Sequence, residues 1–405
     1  MERTILHSDL NNFYASVECM LNPKLRDFPV AVCGDVELRQ GIVLAKNYLA
    51  KAYGVQTAEP VFMAKRKCRN LIIVPPHFEE YEKISRRAKE IYYDYTDLIE
   101  PMGLDECWLD VTGSVRLFGD GEKIAHTIRE RIKRELGVTV SVGVSFNKVF
   151  AKLGSDLKKP DAVTVISKDS FKEKIWHLPA TDMIGVGRAS GEKLAKMGVC
   201  TIGDLANMPL GYLKYKFGKV GEQMHKNANG LDDGDVTPRD DTPDKSVGRG
   251  ITVVKDLVSD TEVYSVMLEL SQEIGHALYS SEKMAGGVAI AIKDNKFNTI
   301  SRQMNLPIPT QSPSEITKVA YELFLKHYLW EENVRAVSVR ATNLVCADEP
   351  VQLDIFSCAN SLHKIEMRDR AVEEIRNLFG RKSIFSASSM INYKMPRGER
   401  PHAVF

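Results

Sequence analysis

The sequence predicts a multidomain mixed α/β fold, and three observations lead there. A chain of 405 residues exceeds what one ordinary hydrophobic core organises and points to two to four domains. Short β-branched runs alternate with amphipathic helical stretches over the first 165 residues. Farther on, a glycine-punctuated helical stretch is followed by a region reading strand, helix, strand, strand, helix, strand.

In residues 1–165 the strand candidates are Thr4 to His7, Val30 to Cys33, Ile42 to Leu44, Leu71 to Val74, Cys107 to Val111 and Val138 to Val144. Between them, Glu79 to Leu98 and Gly121 to Leu136 carry apolar residues at helical period. From Lys168 to Asp232 short helices alternate with glycines, and ten basic residues stand against seven acidic ones. Thr237 to Lys245 is polar and flanked by prolines, which marks a linker. Beyond Ser246, Val263, Val266, Leu270, Ile274 and Leu278 form one helical stripe, and Ile316, Val319, Leu323 and His327 a second. Val288, Ile290 and Ile292 alternate as in a half-buried strand, as do Val337, Val339 and Ala341. This βαββαβ order predicts a four-stranded sheet with helices on one face and the other face open to a ligand. The tail carries an apolar cluster from Val351 to Phe356 and a charged helix from about Ser361 to Phe379.

Lys+Arg 55 against Asp+Glu 54 leaves a net charge of +1, so any basic surface must be local. No apolar run approaches the roughly 18 residues that span a bilayer, and the N-terminus lacks a signal-like stretch. The expectation is a soluble, cytoplasmic protein with no membrane partner. Seven scattered cysteines with no Cys-x-x-Cys pair read as reduced, mostly buried thiols.

Two acidic sites lie in apolar settings, where a bare carboxylate is costly. One is Asp9, at the end of the first strand. The other is Asp105-Glu106, in Met102-Gly103-Leu104-Asp105-Glu106-Cys107-Trp108. Neighbours on a regular strand point to opposite faces, so Asp105 and Glu106 converge only if the chain turns there, and Gly103 supplies such a turn. Three carboxylates brought together repel unless cations neutralise them, and magnesium fits an all-oxygen set. Taken singly, Asp9 reads more readily as the cap of a helix beginning near Asn11, and Asp105-Glu106 as an ordinary polar turn.

Longer motifs decide between these readings. Asp9 to Glu18 (DLNNFYASVE) resembles the opening motif of Y-family DNA polymerases of the DinB branch, and Asn47 to Val55 (NYLAKAYGV) resembles their finger motif. Asp105 to Thr112 (DECWLDVT) resembles their acidic palm motif, and Ser141 to Pro160 their last palm signature. Together with the domain order, the resemblance covers residues 1 to about 345. It implies a right-hand polymerase with palm, small fingers, a helical helix-hairpin-helix thumb and a βαββαβ little finger. The implied boundaries are palm 1–10 and 77–165, fingers 11–76, thumb 166–235, linker 236–245, little finger 246–346 and tail 347–405.

The resemblance also implies roles. Asp9, Asp105 and Glu106, with the backbone carbonyl of Leu10, would bind two Mg2+ ions and carry catalysis. Tyr48, Lys51 and Lys159 would hold the triphosphate of a dNTP. Phe13 and Tyr14 would also belong to the nucleotide site, with Tyr14 standing against the sugar C2′ and excluding a 2′-hydroxyl by clash. Several positions depart from the family pattern. Lys51 replaces the usual Arg, a point charge in place of a bidentate fork. Ala45 lacks a hydroxyl for the phosphates, Ile42 and Leu44 replace smaller residues over the nascent base pair, and Asn11 stands where a second Asp is common.

For DNA, Ile184-Gly185-Val186-Gly187 resembles a helix-hairpin-helix, in which Gly185 and Gly187 let backbone approach a phosphate. In residues 246–346 the acidic side chains Glu262, Glu269, Glu273 and Glu322 concentrate on the helices, while Arg249, Lys293, Lys296, Arg302 and Arg340 are assigned to the strands. Val351-Gln352-Leu353-Asp354-Ile355-Phe356 resembles the peptide by which bacterial polymerases dock on the sliding clamp, with Gln352, Leu353, Ile355 and Phe356 as its anchors. The helix after it either touches DNA or packs internally. The expectation is a monomeric, template-directed DNA polymerase acting in translesion synthesis on primer-template DNA, with low fidelity and no proofreading exonuclease. A nucleotidyl cyclase and a catalytically silent DNA- or clamp-binding scaffold are the rivals.

Overall fold

A computed structural model describes residues 2–39, 41–238, 244–349, 359–380 and 383–384. The chain folds as two compact units, one holding most of residues 1–242 and one most of residues 243–403.

The first unit opens with β1 (Ile5–Leu10), α1 (Phe13–Leu21), β2 (Val30–Cys33), β3 (Val43–Lys46), α2 (Tyr48–Ala52), α3 (Val61–Lys67), β4 (Ile72–Val74) and α4 (Phe78–Tyr93). It continues through β5 (Ile99–Met102), β6 (Glu106–Asp110), α5 (Val115–Phe118), α6 (Gly121–Leu136), β7 (Val140–Ser145), α7 (Lys148–Leu157) and β8 (Val163–Ile166). The main sheet has order β5-β6-β1-β7-β8, with β1 central and antiparallel to both neighbours. Residues of β1 alternate between two covered faces. Leu6 and Leu10 join Ile84, Ile91, Ile124 and Ile128 of α4 and α6 in one core, whereas Ile5 packs with Trp108 and Ala151 on the α7 side. A smaller sheet, β3-β2-β4, encloses its own cluster of small apolar residues.

The expected strands all form, Val30–Cys33 with the edges expected and the others with edges moved by at most three residues. Two more, β5 and β8, were not foreseen. The helix expected from Glu79 to Leu98 stops at Tyr93. Thr96 diverts the chain, its hydroxyl donating to the Asp110 carbonyl (2.6 Å) and accepting from the Leu98 N–H (3.1 Å). The cysteines are less buried than expected: Cys33, Cys68 and Cys107 are buried, but Cys200 and Cys346 are exposed.

The helical part comprises α8 (Phe171–Ile175), α9 (Arg188–Lys196), α10 (Ile202–Asn207), α11 (Leu210–Phe217) and α12 (Lys219–Ala228), packed round Leu194, Ile202, Leu205 and Leu213. Thr201 and Asp204 form a reciprocal capping box at the start of α10. The segment after α12 is strapped to the main sheet. Val236 is buried beside Ile5, and Glu100 accepts from both Lys148 Nζ (2.6 Å) and the Thr237 N–H (2.9 Å).

The second unit runs β9 (Ser246–Leu257), α13 (Asp260–Ser280), β10 (Lys283–Asp294), β11 (Thr299–Thr310), α14 (Pro313–His327), β12 (Val334–Cys346) and α15 (Ala359–Phe379). The antiparallel order is β11-β10-β12-β9, with both expected helices on one face. Helix α15 packs internally: Asp369 accepts from Ser312 (2.5 Å), Arg376 donates to Gln272 (2.9 Å), and Glu373 meets His276.

Gly143 shows how tightly α7 sits on β7. A Cβ there would fall 1.9 Å from the Ala151 carbonyl oxygen and 2.5 Å from the Ser155 nitrogen, so only glycine permits the approach. Gly143→Ala should cost more than about 3 kcal/mol in denaturant unfolding. Gly211→Ala, where an added Cβ meets nothing within 4 Å in a helix, should shift stability by less than about 1 kcal/mol.

Candidate active site

Register brings the first two carboxylates together. Asp9 on β1 lies directly opposite Glu106 on β6, on the face covered by α7, so their Cβ atoms are about 5 Å apart. Asp105 occupies the turn between β5 and β6, where Gly103 at φ +76° reverses the chain, and its carbonyl accepts from the Leu10 N–H (2.9 Å). The turn inferred from Gly103 therefore exists and joins the end of β1. Burial and the negative charges of Asp9 and Glu106 push the Asp105 carboxyl up to about 6.

Lysines offset this crowding. Asp9 Oδ2 lies 2.7 Å from Lys159 Nζ and 3.4 Å from Lys152 Nζ, and Asp156 lies 2.9 and 3.3 Å from the same two cations. Glu106 Oε2 lies 2.9 Å from Lys152, an ion-pair distance, and 3.4 Å from Nε2 of His7, whose imidazole burial pushes toward its neutral form. Burial alone would raise Glu106, but His7 and Lys152 outweigh it and bring the carboxyl down to about 2. At Asp9 burial wins over both lysines, and the carboxyl is raised. Lys152, Asp156 and Lys159 follow one another at helical spacing along and just beyond α7, which is the signal by which Lys152 was readable and was missed.

The described residues contain no group of three His, Cys, Asp or Glu side chains close enough to hold an ion as they stand, and ammonium groups engage Asp9 and Glu106. The donor set nevertheless suits a hard divalent cation: three carboxylates, one with a buried oxygen lacking a directed hydrogen bond and one pushed up to about 6 by burial and its acidic neighbours.

Asn11 has a structural role. It is buried, its amide oxygen accepts from the Asp161 N–H (2.9 Å) and the Thr139 hydroxyl (3.1 Å), and its NH2 donates to Ser141 (3.0 Å). An ionised Asp there would still accept from the Asp161 N–H and the Thr139 hydroxyl but could not donate to Ser141, whose own hydroxyl would have to turn its proton inward. Asn11 ties the Lys159-Pro160-Asp161 segment to β1.

Tyr48, at the first turn of α2, senses both Lys159 and Asp9 electrostatically, so it stands over the same site. Lys51 lies 5.7 Å from the Tyr48 ring centroid. Burial and neighbouring Lys51 depress Lys46, another cation that its sequence setting does not announce. Tyr14 is half-buried, feels Asp105, and stacks on Tyr81 at 4.3 Å, while Phe13 is fully in the core. Ile42 is exposed and Leu44 half-buried. A cavity of 220 Å³ lined by Asn12, Ser16, Asn47 and Tyr48 opens beside this group, with none of the three carboxylates in its wall.

The proposed DNA contacts divide. Gly185, at φ +90°, and Gly187 at the start of α9 have open space where a Cβ would stand, leaving backbone accessible. In the second unit Lys293 and Arg340 lie on the open sheet face, among Ser246, Gly248, Gly250, Thr252, Ser301, Gln303, Ser338 and Thr342, with no acidic side chain between them. Arg249 is not with them: it pairs in register with buried Val339 and reaches Glu273 of α13 at 3.6 Å. Arg302 lies opposite Ile290, on the helix side of edge strand β11, and Lys296 sits in the turn after β10, paired with Glu332. Gln352, Leu353, Ile355 and Phe356 lie outside the described residues.

Residues 8–156 match the impB/mucB/samB family, 244–355 that family's C-terminal domain, and 181–232 the DNA polymerase-iota thumb domain. The chain is similar to DNA polymerase IV of Acetivibrio thermocellus, 52% identical over 95% of this chain and 96% of the relative. It is also similar to DNA polymerase IV 1 of Bacillus subtilis, 37% identical over 96% and 93%. In structure it resembles a Y-family DNA polymerase chimera, with TM-score 0.76 and 24% identity over 85% of this chain and 99% of the chimera.

Asp105 carries a sign-definite pH dependence. Its folded-state value lies above the ordinary 3.8, so its charge costs stability above about pH 6 and nothing below about pH 3.8. In chelator-treated protein, Asp105→Asn should stabilise the fold at pH 8 by about 2 kcal/mol, after allowing for solvent screening, and the gain should vanish near pH 4. Paired thermal melts of the two proteins across this range check it.

Proposed function

The chain belongs to the impB/mucB/samB family of Y-family DNA polymerases, and on that premise we propose how its site performs templated synthesis. It is a DNA-directed DNA polymerase of translesion type, binding DNA template and nucleotides. The observation that carries the reading is the apposition of Asp9 and Glu106 beside the Asp105 turn, ringed by Lys152, Lys159 and Tyr48.

In this reading the primer 3′-hydroxyl attacks the α-phosphate of a dNTP. The hydroxyl proton passes to solvent, the new O3′–P bond forms as the bridge to the β-phosphate breaks, and pyrophosphate leaves. Enzymes of this family use divalent metal ions. Asp9, Asp105, Glu106 and the Leu10 carbonyl would hold two Mg2+, which when bound would neutralise the carboxylates and the charge developing on the phosphate oxygens. Lys159 is then free of Asp9 and joins Tyr48, Lys51 and Lys46 in gripping the triphosphate. Lys152 remains with Glu106 and Asp156 and keeps α7 over the site. Tyr14 meets the sugar.

The fold supports the domain scheme given by the motifs: the five-stranded sheet as palm, the three-stranded sheet as fingers, α8–α12 as thumb, β9–β12 with α13 and α14 as little finger. Accessible backbone at Gly185 and Gly187, with free amides at the start of α9, suits a phosphate without reading sequence. Lys293 and Arg340 on a floor of small and hydroxylated residues suit a second backbone strand. Val351 to Phe356 remains our proposed clamp-docking peptide on a monomeric enzyme. Small fingers, and a motif set with no second acidic cluster for an exonuclease, support low fidelity and no proofreading.

Primer extension on a defined template tests the core of the reading. Asp105→Ala should lower extension by at least about 10³-fold while DNA affinity stays within about threefold. Extension at the native rate, or a cyclic nucleotide product from the native chain, would sink it.

Lys293→Ala and Arg340→Ala should each weaken primer-template binding and reduce the salt slope by about 1. Arg249→Ala, whose side chain faces Glu273, should leave that slope unchanged. Fluorescence anisotropy across a salt series reads both.

A further inference from the structure

Glu18 is a buried carboxylate, 3% exposed, that the chemistry above does not use. It lies on α1 one turn after Tyr14, so the two share a helix face. Opposite them on α4, His77 caps the helix and Tyr81 follows one turn later. Tyr81 spans both turns of α1. Its ring stacks on Tyr14 with centroids 4.3 Å apart and planes 10° from parallel, and its hydroxyl donates to Glu18 Oε1 at 2.5 Å. His77 Nδ1 lies 2.9 Å from the same oxygen, and Phe78 sets its edge against both tyrosine rings at 5.8–5.9 Å.

Stacking holds the separation of two rings firmly but resists sliding weakly. The hydroxyl bond to Glu18 supplies the missing restraint, because it fixes Tyr81 along its own long axis. Burial and the Glu18 charge keep that hydroxyl protonated as a donor. A residue that selects a sugar by clash needs sub-ångström placement, since a short retreat opens room for a hydroxyl.

We propose that Glu18 and Tyr81 are positioning residues for sugar discrimination, a carboxylate-anchored ring that stops Tyr14 retreating from a ribonucleotide. This deepens the reading of Tyr14 as sugar gate and rests on it. Glu18 and Tyr81 touch neither nucleotide nor ions. They act through Tyr14.

The test is single-nucleotide insertion, measured as kcat/KM for a dNTP and for its matching rNTP. The proteins are the full chain and its Tyr14→Ala, Tyr81→Phe, Glu18→Gln and Tyr14→Ala/Tyr81→Phe variants. Tyr81→Phe keeps the stacked ring and removes only the anchor, so it also guards against loss of folding at Glu18→Gln. Both anchor variants should lower the dNTP-to-rNTP ratio by about three- to tenfold, chiefly through a lower KM for the rNTP. Adding Tyr81→Phe to Tyr14→Ala should change the ratio no further, since the gate through which it acts is gone. A ratio unmoved by Tyr14→Ala would remove the gate itself. If Tyr14→Ala collapses the ratio but the anchor variants leave it intact, or reduce both substrates in equal proportion, the gate stands and the anchoring role is overturned.

Discussion

Repulsion among Asp9, Asp105 and Glu106 is the constraint on which the rest of the catalytic unit depends. Strand pairing sets Asp9 against Glu106, and a glycine turn adds Asp105, so three acids share one partly buried corner. The chain tolerates this because α7 and the segment beyond it deliver Lys152 and Lys159 to the same spot. Neither lysine can do so unless α7 lies almost in contact with β7, which Gly143 allows, and unless the 159–161 segment is held to β1, which Asn11 ensures. Packing and electrostatics are thus one problem here: backbone approach determines where the counter-charges stand.

The same lysines hold the acidic corner together: Lys152 stands against Glu106 and Lys159 against Asp9, while burial and two acidic neighbours push Asp105 up to about 6. On the reading proposed above, an ion held by Asp9 would compete with Lys159 and release that side chain beside Tyr48 and Lys51, so nucleotide grip and ion binding would be coupled through one carboxylate.

Most of this was legible in the sequence, for identifiable reasons. Long amphipathic stretches announced α6 and α13, and the Gly103 turn followed from the requirement that Asp105 and Glu106 meet. What stayed hidden depended on partners distant in sequence. β5 and β8 are edge strands of four residues, one containing Pro101, too short for a clear alternation. Arg249 looked like its neighbours because strand position alone does not say which face a residue takes. Only the pairing with Val339 reveals that it points at Glu273. Asn11 was noted only as a departure from an acidic pattern, and its three hydrogen-bond partners lie about 130–150 residues away.

The distribution of core size bears on selectivity. Among the described residues the cluster behind the main sheet contains twenty-three buried side chains, with rings such as Tyr81 and Tyr92 in it, while the cluster under the three-stranded sheet has nine, none larger than leucine. A lid can reject a wrong base pair only to the extent that closing on the right one releases free energy, and so small an apolar core has little to contribute. Lys51 adds a point charge where a fork would align phosphates more strictly. Tyr14, by contrast, stands on the large core and is backed by Tyr81 and Phe78. If Tyr14 is the sugar gate proposed above, the chain would test the sugar against its large core and the base pair against its small one, which would let it be strict toward the first and permissive toward the second.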